Sequence, residues 1–221
     1  MADLSIGLYF SAALALIYLG YYCYRPASIG KSVVKTGSIA VLCLVSVLAG
    51  GPVWLSLALG FCALGDYLLA TGSQTGFMAG IGAFAFGHIA YSVAFLTHAL
   101  AQPALVLAAP QLLVAVAMTG FAVIMAKLLF RRAGGLGGAV LAYIPIISGM
   151  GIASLVLTET GLFNPVFFGA ILFVISDFVL SVEKFVLASH ARLGKITPFL
   201  VWPTYWFAQV LLLVGILGLV G

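Results

Sequence analysis

The chain is written almost entirely in long, unbroken apolar runs. Eight can be marked, at about 4–22, 32–49, 52–70, 76–96, 103–126, 136–157, 162–182 and 198–220. Each approaches the length of roughly 20 residues that a helix needs to cross the hydrocarbon of a bilayer. The runs are continuous and do not alternate between apolar and polar positions. That predicts helices, which satisfy their own backbone hydrogen bonds, and not the strands of a membrane barrel. The punctuation agrees: Gly50-Gly51-Pro52, Thr71-Gly72-Ser73-Gln74, Gln102-Pro103 and Asn164-Pro165 all read as turns or helix ends. The expected fold is all-α, a polytopic membrane bundle of eight transmembrane helices with both termini on the non-cytoplasmic side. A single helical domain over residues 1–221 is expected.

Composition reinforces the pattern. The chain is 64% hydrophobic and 6% charged, where a soluble domain carries roughly 25% charged residues. The first charge is Asp3. The N-terminal run therefore lacks the basic start of a secretory signal peptide and is long enough to span. The formal charge of +4 is spread over short loops, which argues against nucleic-acid binding. With eight spans, all nine Lys and Arg residues fall at one face. Arg25, Lys31 and Lys35 lie around the first such loop, Lys127, Arg131 and Arg132 around the next, and Lys184, Arg192 and Lys195 around the last. The other face shows Asp3, His98 and Glu159. The positive-inside rule puts the basic loops in the cytoplasm, with a bacterial cytoplasmic membrane as the expected location. Cys23, Cys43 and Cys62 have no metal-ligand spacing and read as small packing residues. Gly76/Gly80 and Gly134/Gly138 stand at small-xxx-small spacing, which reads as close helix packing within the bundle.

Against this background two residues stand out. Asp66 and Asp177 are carboxylates inside apolar runs, in similar contexts: Gly65-Asp66-Tyr67-Leu68-Leu69 and Ser176-Asp177-Phe178-Val179-Leu180. An ionisable group within a membrane helix is costly and ordinarily functional. The run boundaries put Asp66 about four residues and Asp177 about five residues from the basic face, or roughly 6 Å and slightly more at 1.5 Å per residue. Lys35, Tyr143 and Tyr205 are expected at a similar depth and His88 nearer the midplane, so that one site opens toward the basic face. An ion pair of Lys35 with a carboxylate and snorkelling of Lys35 and Lys184 are the structural alternatives. Lys184 follows Asp177 by seven residues, on the same helix face. Tyr9, Tyr21, Tyr22, Tyr24, Trp202 and Trp206 fit an aromatic belt, and His98 and His190 fall in loops. The histidines are too far apart to suggest a metal site. No nucleophile elbow, P-loop or HExxH is present. From residues alone, an intramembrane hydrolase and a proton-coupled carrier fit equally well.

Several spaced motifs narrow this choice. They are the segment Lys31-Ser32-Val33-Val34-Lys35-Thr36; Leu64-Gly65-Asp66-Tyr67-Leu68-Leu69; Phe86-Gly87-His88-Ile89-Ala90-Tyr91; the stretch from Gly169 to Asp177; and Tyr205-Trp206-Phe207-Ala208-Gln209. In this order and spacing the chain resembles the YhhN family, the membrane lysoplasmalogenases. Thr36 departs from the proline that many relatives carry, which alters the helix start more than the chemistry. The resemblance implies an enzyme of eight helices that cleaves the vinyl-ether bond of a lysoplasmalogen. The products are a fatty aldehyde and glycerophosphoethanolamine or glycerophosphocholine. On that reading Asp66 and Asp177 are the acid and the base, and His88 assists them. Tyr91, Tyr143, Tyr205 and Gln209 orient substrate or water, and Lys35 and Lys184 hold the phosphate. No cofactor and no metal are required; the partners are a lysophospholipid and membrane lipids. The competing class, a proton- or cation-coupled transporter, predicts flux without chemical change to lipid. A non-catalytic lipid-binding protein predicts binding without turnover.

Overall fold

The structure is a computed structural model that describes residues 2–158, 161–162, 164–187 and 196–220. Glu159, His190, Arg192 and Lys195, and the side chain of Asp3, lie outside the described residues. Among those described, eight helices are long and apolar enough to cross a membrane, and there is no strand. They are α1 (Ala2–Ile17), α2 (Ile29–Leu48), α3 (Val53–Ala70), α4 (Gln74–Leu96), α5 (Gln111–Phe130), α6 (Gly137–Ala153), α7 (Pro165–Phe185) and α8 (Thr197–Val220). Helix α1 runs on as a π-helical turn over Tyr18–Tyr22, and 3-10 turns extend α6 at both ends.

Three boundaries differ from the hydrophobic pattern, each for a local reason. Helix α2 begins at Ile29 because the Ser28 hydroxyl accepts the Lys31 N–H and caps the helix. Thr36 therefore stands well inside the helix and not at its start. The fifth run splits: Pro103–Leu107 is a separate 3-10 turn, and α5 starts after Pro110. Proline lacks the N–H that would carry the helix through. Helix α7 continues to Phe185, with Asn164 capping Phe167 N–H and Pro165 opening the first turn. Asp177 consequently lies eight residues from the helix end, about 12 Å along the axis, deeper than the sequence pattern indicates.

The chain divides into two compact units. The first is Met1–Ala94 with Gln209–Gly221, and the second is Phe95–Ala208. The first thus holds α1–α3, most of α4 and the latter part of α8. In it Ser11 donates to the Ser38 carbonyl at 2.6 Å, joining α1 to α2. Ser46 and Ser56 share a hydrogen bond of 2.8 Å that joins α2 to α3. Helices α3 and α4 meet through glycine. A Cβ on Gly65 would fall 2.6 Å from the Phe84 ring, and one on Gly80 would meet Leu69 and the Gly65 carbonyl. Gly76 likewise lies against the end of α3, so this small-xxx-small pair packs within the unit. Among the described residues nothing lies within 4 Å of a Cβ placed on Gly134 or Gly138, so this pair does not mark a close approach there.

The second unit holds the end of α4, α5–α7 and the first part of α8. Its core includes Leu129, Ala133, Val140 and Ile144, where the end of α5 meets the start of α6. Trp202 is 4% exposed and packs against Tyr205, so it belongs to this interior and not to an aromatic belt. Gln111, at the start of α5, is buried and donates to Thr158 at 3.1 Å. In the turn after α4, His98 Nδ1 accepts the Leu100 N–H at 3.1 Å, and burial holds the ring's pKa below its ordinary value.

Candidate functional site

In the first unit, Asp66 sits in the last turns of α3, four residues before its end and 1% exposed. The glycine before it lets the Phe84 ring of α4 press against the α3 backbone. Its charge is met by Lys35 of α2, whose Nζ lies 2.9 Å from Asp66 Oδ1. Two opposite charges so placed offset much of each other's desolvation, and removing either would strand the other. The Lys35 turn is itself anchored, because Ser38 Oγ donates to the Lys35 carbonyl at 2.8 Å. The Tyr18 ring completes the group, with its centroid 5.9 Å from Lys35 Nζ and 6.0 Å from Lys31 Nζ.

Lys31 has a different role. Its ammonium donates to the carbonyls of Cys23 and Arg25 at 3.3 and 2.7 Å and so satisfies the end of the α1 segment. Tyr18 does not stand out in the sequence, because it lies in an apolar run among four other tyrosines, Tyr9, Tyr21, Tyr22 and Tyr24. The signal that would have found it is the π-helical turn that it opens, since such turns recur at functional positions.

Two further candidates of this unit meet across α4 and α8. The Tyr91 hydroxyl donates to Gln209 Oε1, and both residues are fully buried. Gln209 Nε2 has no hydrogen-bond partner among the described residues, which leaves an amide donor in the interior. His88 is fully buried one turn earlier on α4, and its carbonyl accepts the Ser92 hydroxyl. Gly87 abuts Cys62 and Gly65 abuts Phe84, so the antiparallel register of α3 and α4 places His88 about five residues, roughly 7.5 Å, from the level of Asp66.

In the second unit, Asp177 of α7 accepts a hydrogen bond from the Tyr143 hydroxyl of α6. Here too a small, buried residue precedes the aspartate: Ser176 is 1% exposed and its hydroxyl donates to the Val201 carbonyl of α8 at 3.1 Å. Asp177 and Tyr143 line a small groove bounded by α5, α6 and α7 and open on one side. Ser148 and Ser181 are the other polar residues of its lining. Tyr205 is buried against Phe173, with ring centroids 5.2 Å apart. Lys184 is exposed in the last turn of α7 and is not part of the groove lining.

The candidates thus resolve into three contacts: Lys35 with Asp66, Tyr91 with Gln209, and Tyr143 with Asp177. The first two belong to the first unit and the third to the second. Each brings a polar pair into the interior of helices otherwise built of apolar residues, as substrate and ion sites of membrane proteins do. The molecule is therefore a multi-pass membrane protein with ionisable groups inside its spans. The sequence model of the YhhN family matches residues 30–216. The chain belongs to the YhhN family. No curated protein and no solved structure matches it.

Proposed function

We propose that the protein is an intramembrane hydrolase that cleaves the vinyl-ether bond of a lysoplasmalogen, releasing a fatty aldehyde and glycerophosphoethanolamine or glycerophosphocholine. The observation that carries the reading is the pair of intramembrane aspartates, each with its own polar partner, in a chain of this family. A vinyl ether hydrolyses when an acid protonates its β-carbon, which leaves an oxocarbenium ion. Water adds to that cation and gives up a proton, and the resulting hemiacetal collapses to aldehyde and alcohol. The proton consumed in the first step is returned in the second. Glycosidases divide a similar task between two carboxyl groups, one donating the proton and one facing the cation or activating water.

Asp66 and Asp177 supply these two roles in the proposed mechanism. Lys35 partners Asp66, Tyr143 orients Asp177, and Tyr91 and Gln209 offer hydrogen bonds to the glycerol or to water, with His88 beside them. No step calls for a cofactor. The basic loops lie in the cytoplasm, where an exposed cation such as Lys184 can meet the lipid phosphate and stay hydrated.

The test is purified protein in detergent with a lysoplasmalogen, read out as fatty aldehyde. Release above a lipid-only blank, abolished in Asp66→Asn or Asp177→Asn, is the expected result. No aldehyde, together with proton- or cation-coupled flux in liposomes, would replace this reading with a transporter that uses the aspartates as a relay.

A further inference from the structure

The facing sides of α1 and α2 meet in a definite antiparallel register. Ser11, Ala15 and Tyr18 follow one another at helical spacing on α1 and its π-helical continuation, and all three are buried. The Ser11 hydroxyl bonds the Ser38 carbonyl. A Cβ on Gly37 would touch Leu14 at 3.4 Å, and one on Gly30 would collide with the Tyr22 hydroxyl. Counting along both helices from these contacts puts Tyr18 level with residues 31–34 of α2, within the turn that separates Lys31 from Lys35. Its ring centroid accordingly lies 6.0 Å from the Lys31 ammonium and 5.9 Å from that of Lys35.

Lys35 has two ways to satisfy its charge. It lies about 9 Å along α2 from Ile29, where the helix begins, and its side chain is 15% exposed against 1% for Asp66. A four-carbon stem at that depth can extend toward water, as lysine side chains near helix ends do. That route would leave the Asp66 carboxylate buried and uncompensated. Two features oppose it. Lys31 stands one turn nearer the basic face, its ammonium fixed on the carbonyls of Cys23 and Arg25, so an outward-moving Lys35 approaches a like charge. The Tyr18 ring attracts the ammonium through its negative face, and that attraction grows where water is scarce; Tyr18 is buried. The ring is held in turn by its own helix. Cys23 N–H donates to the Tyr18 carbonyl at 2.8 Å and closes the π-helical turn, whose far end Lys31 ties to α2.

We propose that Tyr18 is a positioning residue: its ring holds the Lys35 ammonium on Asp66 and away from the basic face. Helix α1 then supplies part of the site, although the family match begins only at residue 30. The electron-rich face of the ring does the holding, and not the bulk of the side chain or its hydroxyl. What Asp66 does to a lipid rests on the hydrolase reading above; the hold of Tyr18 on Lys35 does not.

The experiment uses the full protein in nanodiscs, as wild type, Tyr18→Phe, Tyr18→Leu, and with Tyr18 replaced by trifluorophenylalanine. The fluorinated ring keeps nearly the shape of phenylalanine and loses its negative face. Each protein is exposed briefly to acetic anhydride, and acetylation of Lys35 is read by peptide mass spectrometry against the exposed Lys127 and Lys184. An ammonium held on a carboxylate has no free electron pair and acylates slowly. Tyr18→Phe is expected to stay within about twofold of the wild type, while the fluorinated and Tyr18→Leu proteins acetylate at Lys35 about fivefold faster or more. Should Tyr18→Leu not fold, the fluorinated ring decides alone. Equal Lys35 acetylation in the phenylalanine and fluorinated proteins would overturn the proposal. Aldehyde release from a lysoplasmalogen, measured in the same nanodiscs, is expected to fall wherever Lys35 is set free. Acetylation that responds to fluorine, with no aldehyde from the wild type, would sink the hydrolase reading and spare Tyr18. Aldehyde release with acetylation indifferent to fluorine would do the reverse.

Discussion

Asp66 and Asp177 arise from nearly the same local sequence, yet the two units treat them differently. In both, a small residue precedes the carboxylate and lets a neighbouring helix come close. Gly65 admits Phe84, and Ser176 bonds the Val201 carbonyl. The partners then diverge. Asp66 meets a full positive charge at 2.9 Å. Asp177 accepts a hydrogen bond from a phenol and lines an open groove. The Lys35–Asp66 pair is thus a fixed arrangement of charge in a tightly packed wall. The Tyr143–Asp177 pair borders a groove that is open on one side. Similar motifs thus stand in two settings, one a buried ion pair and the other the wall of an open groove.

The comparison can be broken at several points. The largest effect is expected from Asp66→Asn and Asp177→Asn. In the proposed mechanism each removes the acid or the base, and aldehyde release should fall by about 10²- to 10⁴-fold. A near-native rate in either variant, shown to be folded and inserted, would remove that carboxylate from the mechanism.

Next, Lys35→Met should destabilise the first unit by about 3–5 kcal/mol, because it leaves the buried Asp66 charge uncompensated. The double variant Lys35→Met/Asp66→Asn should recover most of the thermal stability and none of the activity. Stability unchanged by the single variant would mean that the ion pair does not carry the charge balance assigned to it.

Tyr143→Phe, the corresponding change in the second unit, deletes one hydrogen bond to a carboxyl group, worth about 1.5–3 kcal/mol. Melting should shift less than in Lys35→Met, while turnover falls by about tenfold or more. A larger loss of stability than Lys35→Met would reverse the contrast.

Gly65→Ala should cost about 1–3 kcal/mol through collision with Phe84, and Phe84→Leu in the same chain should relieve part of it. Ser176→Ala is expected to be the mildest change, about 1 kcal/mol for one lost hydrogen bond, read as a small drop in melting temperature with KM little altered.

Much of this molecule was legible from its apolar runs. Their length and continuity dictate membrane-length helices, because backbone polar groups in hydrocarbon must bond within their own segment. The cost of an intramembrane carboxylate singled out Asp66 and Asp177, and the spaced motifs pointed to the family that the sequence model then matched. Helix ends were less legible where hydrophobicity and capping disagree: Ser28 starts α2 early, Pro110 delays α5, and α7 runs on to Phe185. What hydropathy cannot encode is which polar side chain faces which, since that depends on helix rotation and register. The pairing of Lys35 with Asp66 and of Tyr143 with Asp177, the cation-flanked ring of Tyr18, and the groove beside Asp177 were decided by packing. A side chain's partners come from other helices, and only the folded chain brings those helices within reach.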